Sequence, residues 1–154
     1  MSKLDIYQTT QAQVLAVLEG ENDTIAKMAT VSCLLRDAFP DRFFWTGFYI
    51  VDDEKKNELI VGPYQGTLGC LRIAFGRGVC GVAAAERETQ VVEDVHAVKN
   101  HIACDSRSNS EIVVPVVNKD DDLIAVLDID STEFGAFDSI DKECLEELMN
   151  KVFG

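Results

Sequence analysis

The sequence predicts an α+β fold, a central antiparallel sheet flanked by helices. Three observations lead there. Helical apolar spacing is confined to the two ends, about residues 9–39 and 139–153. Between them, over about 43–130, lie short β-branched and aromatic runs joined by polar turns. The order is two helices, a hairpin, further strands with one helix among them, a second hairpin and a last helix. That is not the strand–helix–strand alternation that builds a parallel sheet. At 154 residues the chain is long enough to bury one core without disulfide or metal staples, and it is taken as a single domain, 1–154.

Composition narrows the class. Apolar residues make up 47% and charged residues 27%, as in ordinary globular proteins. The net charge of −13 argues against nucleic acid or an anionic membrane as partner, since both need clustered Lys and Arg. No apolar run is long enough to span a bilayer, and MSKLDIYQTTQAQ does not read as a signal peptide, so a cytoplasmic protein is expected. Five cysteines without a secretory start do not read as a disulfide framework, and without a CxxC pair a structural zinc site is not expected.

The elements follow in order. Ala12, Leu15, Ala16 and Leu18 can share one face of a first helix that stops at Gly20. Asn22 or Asp23 can cap a second, with Ile25, Met28, Ala29, Ser32, Leu35 and Ala38 as its stripe and Cys33 as buried filler. FFWTGFYIV, Phe43 to Val51, reads as a strand and ELIVGPY as its hairpin partner. Trp45, Gly47 and Tyr49 share a face, and the glycine between two aromatics leaves a space for a ligand or simply for packing. Leu71 to Phe75 is a short strand. Glycines 76, 78 and 81 then surround Cys80, where a helix starts. No lysine makes this a phosphate loop. Cys80 is either a thiol whose pKa is lowered by a helix N-terminus or a packed residue at a loop–helix joint.

QVVEDV is a short strand, EIVVPVVN another, with Pro115 marking an edge or a bulge, and LIAVLDID pairs with it across KDDD. A C-terminal helix capped by Asp138 or Ser139 carries Ile140, Cys144, Leu145, Leu148 and Val152 on its apolar face.

The stretch from Val92 to Pro115 is the least core-like, holding both histidines, Cys104 and several acids. Along LIAVLDID, Asp128 and Asp130 continue a face begun by Ile124 and Val126, while Leu123, Ala125, Leu127 and Ile129 form the other. Carboxylates on a buried face are costly without partners. Glu111 opens the neighbouring strand, so three acids converge at one end of the sheet, or else lie at an exposed strand end. Converging acids can hold a cationic ligand group, and mutual repulsion can keep one protonated as a proton donor. Cys104 lies in an irregular loop and Cys70 and Cys80 flank a glycine-rich one. If the loops meet, the chain has a nucleophilic thiol and resolving partners. His101, one helical turn before Cys104, equally allows a Cys–His pair for hydrolysis.

WTGFY, GPYQG, the cysteine at 70, GRGVCG, VEDVH, HIACDS, SEIVVP and VLDIDS together resemble the free methionine-R-sulfoxide reductases, enzymes built on the GAF fold, over about Trp45 to Phe137. The resemblance implies that Cys104 attacks the sulfoxide sulfur, that Cys70 resolves it as a disulfide, and that Cys80 is an auxiliary thiol. It further implies that Glu111, Asp128 and Asp130 meet the sulfoxide oxygen or the substrate amino group, and that Trp45 and Tyr49 enclose the substrate and its methyl group. No metal or cofactor is called for, a thioredoxin-like dithiol recycles the enzyme, and a homodimer is implied. The family's aromatic–Pro–Gly turn is replaced by Val98, Lys99 and Asn100, which leaves that loop less constrained. Rival readings are a non-enzymatic GAF sensor of a small ligand, a Cys104–His101 hydrolase, and a metal-binding protein using Cys70, Cys80, Cys104 and His101.

Overall fold

A computed structural model describes residues 1–99, 101 and 104–154. Six strands form one antiparallel sheet: β1 (Trp45–Val51), β2 (Glu58–Gln65), β3 (Arg72–Ala74), β4 (Gln90–Val92), β5 (Ser110–Val117) and β6 (Leu123–Ser131), in the order β3-β2-β1-β6-β5-β4. The helices are α1 (Lys3–Val17), α2 (Thr24–Ala38), α3 (Gly78–Glu86) and α4 (Ser139–Phe153), with a single 3-10 turn at Val95–Ala97 among the described residues.

The period of two divides the sheet into two faces with different jobs. Phe48, Ile112, Val114, Val116, Ala125, Leu127 and Ile129 point to one side and are covered by α2 and α4, on which α1 packs. Trp45, Tyr49, Val113 and Val126 point to the other, where α3 and β3 cover part of the surface with Val79, Cys80, Ala83, Ala84 and Ile73. Burial of large apolar side chains stabilises at about 25 cal/mol per Å², so the helix-covered face anchors the fold. The second face keeps one end free of helix, and there the site forms.

Several boundaries differ from the sequence reading. Helix α1 begins at Lys3 because Ser2 and Asp5 make a reciprocal capping box, each side chain accepting from the other's backbone N–H at 3.1 Å. Its buried stripe is Tyr7, Thr10 and Val14, not Ala12, Leu15, Ala16 and Leu18; with that earlier start, Leu15 is turned to solvent. In α2 the cap is Asp23, whose carboxylate accepts from Ala26 N–H at 2.8 Å. The stripe there is Met28, Val31, Ser32 and Leu35, which leaves Ile25 exposed. Cys33 is exposed rather than buried, one position off that stripe. Strand β1 starts at Trp45; Phe43 instead packs into the helix-covered core, stacked with Phe39 at 4.5 Å.

The strand bearing Pro115 behaves as expected. β4 pairs with β5 only up to Val113, so beyond it β5 has no neighbour on that side, and a register shift follows between Val116 and Val117. A residue without an N–H fits an unpaired strand end. That shift also upsets alternation on β6, where Leu123 packs with the α3-side cluster and Ile124 with the other. Helix α4 is capped by Asp138 and buries Leu145, Leu148, Met149, Val152 and Phe153, while Ile140 is exposed and Cys144 half-buried.

Candidate active site

Strand register puts the acids together. Glu111 on β5 is the direct partner of Asp130 on β6, and Asp130 is the direct partner of Trp45 on β1. One step along, Val113 pairs with Asp128 and Asp128 with Gly47. All the side chains of these two rows face the α3 side by the period of two. Glu111 and Asp128 are buried, and Asp130 is half-buried. Burial holds all three carboxyl groups well above their ordinary range, and each is pushed further by a neighbouring acid, Asp130 on Glu111, Glu111 on Asp128 and Asp128 on Asp130. The Asp128 Oδ1 atom has no hydrogen-bond partner among the described residues.

Cys80 enters from the first turn of α3, its Sγ 4.0 Å from Glu111 Oε2. The GRGVCG loop can deliver it because Gly78 takes φ +62° and because a side chain at Gly81 would strike the Ala74 carbonyl. Of the two readings of Cys80, the packed residue at a loop–helix joint matches its burial, and the lowered pKa is not found. Burial, then Asp128 and Glu111, push the Cys80 thiol well above its ordinary value, since removing a thiolate from water beside acids outweighs a helix end. The described partner of His101 is Glu111, Nε2 to Oε1 at 3.5 Å, and burial lowers the imidazole pKa.

Two loops close the cleft over this floor. Cys70 and Cys104 are joined as a disulfide with Cα atoms 5.6 Å apart, inside the range a disulfide accepts. The sheet holds the first loop: the Trp45 indole donates to the Thr67 carbonyl at 2.8 Å. Thr67 in turn donates its hydroxyl to Asp105 Oδ2 at 2.8 Å, next to Cys104. Asp105 is held by Arg107 through Nη2 at 2.7 Å and Nε at 3.0 Å, and the Arg107 guanidinium lies 5.0 Å from the Phe44 ring centre. These bonds, Arg107 first, keep the Asp105 carboxyl well below the usual carboxylate range. Trp45 and Tyr49 stack at 5.5 Å as one apolar wall. With the disulfide closed, the cleft encloses about 40 Å³.

A family model described as GAF domain matches residues 35–152. The free methionine-R-sulfoxide reductase of Escherichia coli is 44% identical over 97% of this chain and 87% of that protein. The enzyme of the same name from Saccharomyces cerevisiae is 38% identical over 96% of this chain and 84% of that protein. The X-ray structure of free methionine-R-sulfoxide reductase from Neisseria meningitidis, in complex with its substrate, superposes with a TM-score of 0.91 at 44% identity, covering 97% of this chain and 87% of that one.

The chain belongs to the free methionine-R-sulfoxide reductases, a GAF-domain family.

Against that family background, Cys70, Cys80, Cys104, Glu111, Asp128, Asp130, Trp45 and Tyr49 all line one cleft. The acids lie on a buried strand end, not an exposed one. Gly47 does not leave a ligand space between the aromatics. β2 passes so close at a register shift that a side chain there would overlap Tyr64, whose ring stacks on Trp45 at 4.9 Å. Of the replaced turn, Val98 and Lys99 are described and follow the 3-10 turn, while Asn100 lies outside the described residues, and with it the expectation about loop constraint.

Thr67, Gly69, Arg107 and the carboxylate of Asp105 carry no signal in the sequence, and His101, which the sequence offered as a partner of Cys104 only in the hydrolase alternative, lies 3.5 Å from Glu111. Gly69 is a glycine because a Cβ there would sit 2.9 Å from the Trp45 ring and 3.2 Å from the Tyr49 hydroxyl. None of these residues is part of a periodic pattern. Their contacts exist only once two loops far apart in sequence lie side by side.

Proposed function

We propose that this oxidoreductase reduces free L-methionine-R-sulfoxide to L-methionine by thiol chemistry. The observation that carries the reading is the Cys70–Cys104 disulfide at the mouth of a cleft floored by three acids. In the reduced chain, the Cys104 thiolate attacks the sulfoxide sulfur. A protonated carboxyl of the Glu111–Asp128–Asp130 cluster gives its proton to the sulfoxide oxygen. Methionine leaves, and the oxygen stays on Cys104 as a sulfenic acid. The Cys70 thiol displaces it as water and forms the disulfide, and an external thioredoxin-like dithiol restores both thiols at the cost of its own oxidation.

Burial gives the acids their double use. At least one remains a proton donor at neutral pH, while the ionised members and the unpartnered Asp128 Oδ1 suit an α-ammonium group. Trp45 and Tyr49 offer an aromatic wall for the methyl group and sulfur. A peptide-bound residue has no ammonium to give the acids, which supports restriction to the free amino acid. Cys80 stays a neutral thiol beside Glu111 and serves in reserve. His101 lies 3.5 Å from Glu111, and burial lowers its imidazole pKa. The chemistry asks for no resident metal or cofactor. A reducing cytoplasm suits the cycle, and a homodimer is the assembly carried over from the family resemblance.

The test is thioredoxin-coupled NADPH consumption with free methionine-R-sulfoxide, its S epimer and a peptide-bound R-sulfoxide. Turnover of the free R form alone is expected. A folded, fully reduced sample that turns over none of the three overturns the reading.

A further inference from the structure

Cys80, Glu111 and Asp128 present a sulfur and two carboxylate oxygens, all within 4.8 Å of one another and all buried. One of those residues, Asp128, is 4% exposed and has an oxygen with no partner among the described residues, facing the same cleft. Zinc binds thiolate sulfur at about 2.3 Å and carboxylate oxygen at about 2.1 Å, so two such donors on a tetrahedral ion stand roughly 3.6 Å apart. Cys80 Sγ and Glu111 Oε2 stand 4.0 Å apart, close enough that a small side-chain rotation closes the difference. The donor set mixes one soft and two hard atoms, which suits a borderline divalent ion such as Zn²⁺ or Co²⁺ and not Ca²⁺ or Mg²⁺, which take oxygen alone. His101 Nε2, 3.5 Å from Glu111 Oε1, can orient that carboxylate from outside the coordination sphere.

We propose that Cys80, Glu111 and Asp128 form a binding site for a borderline divalent cation, and that an ion held there keeps the substrate out. The second half rests on the methionine sulfoxide reading, since the ion takes the acids proposed to receive the ammonium group. On binding, Cys80 releases its proton and its sulfur becomes a ligand. Cys80 is free when Cys70 and Cys104 are joined, so the site exists in the oxidised enzyme.

The experiment is a Co²⁺ titration of the oxidised chain with Cys33→Ser and Cys144→Ser, which removes the other free thiols as adventitious ligands. One ion per chain is expected, with a near-ultraviolet sulfur-to-metal charge-transfer band. Cys80→Ala should abolish the band. Asp128→Asn should keep Cys80 and weaken binding at least tenfold. Free methionine-R-sulfoxide should displace the ion. No saturable band, or a band that survives Cys80→Ala, overturns the site. A band that substrate cannot displace overturns the exclusion of substrate. Turnover of methionine sulfoxide is measured separately, so a chain that binds Co²⁺ through Cys80 but never reduces the sulfoxide keeps the metal site and loses the reductase reading.

Discussion

Glu111 and Asp130 oppose each other in register across β5 and β6, so two acids that would repel when ionised are built into adjacent strands on a covered face. Like charges placed so are destabilising, and the chain tolerates the pair by leaving protons on it.

The pH dependence of stability follows from that pair and from Asp128. Their folded pKa values are raised above the ordinary 4.5 of Glu111 and 3.8 of Asp128 and Asp130. The folded chain therefore binds more protons than the unfolded one, and the associated stability is complete below about pH 4 and drains away as pH rises through the raised folded values. Glu111→Gln is expected to gain on the order of 1 kcal/mol at pH 8 and little at pH 4, as read by denaturant unfolding at the two pH values. An equal gain at both would mean that charge repulsion is not the cause.

The thiols divide their work in a way that counting can read. Without any reductant, the native chain and Cys70→Ser should each form one equivalent of methionine. The native chain should then lose two free thiols. Cys70→Ser should lose one and become reactive toward dimedone, a trap for sulfenic acid. Cys104→Ser should form none, and Cys33→Ser, exposed and outside the cleft, should match the native chain.

Thr67 and Asp105 tie the Cys70 loop to the Cys104 loop. Thr67→Val keeps the shape and removes the donor. Methionine formation in a single turnover should keep its rate, while disulfide closure, followed by thiol titration after acid quench, should slow about tenfold, the worth of one hydrogen bond to a charged acceptor. A matching loss in both steps would mean that Thr67 acts on the chemistry itself.

Gly69 lies against Trp45 and Tyr49 with no room for a methyl group. Gly69→Ala should raise KM for methionine sulfoxide several-fold by shifting the aromatic wall, with kcat within a factor of two or three. A fall in kcat at constant KM would place Gly69 with the reacting groups instead.

Far from the cleft, Asp141 is fully buried and ties α4 to α1. It accepts from the Tyr7 hydroxyl and the Lys3 ammonium, both at 2.6 Å, and from Asp138 N–H at 2.8 Å. Asp141→Ala strands the Tyr7 hydroxyl and the Lys3 charge and should cost about 3–5 kcal/mol. Tyr7→Phe should cost about 1–3 kcal/mol. Urea unfolding of both variants checks the ranking.

Element order, the antiparallel sheet and the family were legible in the amino-acid sequence. Alternation along LIAVLDID and WTGFYIV already placed Trp45, Tyr49, Asp128 and Asp130 on shared faces, because the strand period is local and survives any tertiary arrangement. The motif set around Cys70, Cys80 and Cys104 carried the resemblance for the same reason: short patterns keep their spacing. What tertiary structure alone decided was environment. Cys80 sits at a helix start, yet its thiol pKa rises, because the fold buries it and then sets acids from β5 and β6 beside it. Cys33 is exposed and Leu15 faces water because the Ser2–Asp5 cap and the packing of α1 on α2 and α4 set which helix face turns inward. The Thr67–Asp105 tie and the Glu111–Asp130 opposition join residues 38 and 19 positions apart. Burial, electrostatics and such long-range contacts depend on distances across the fold, and no local pattern in the chain encodes them.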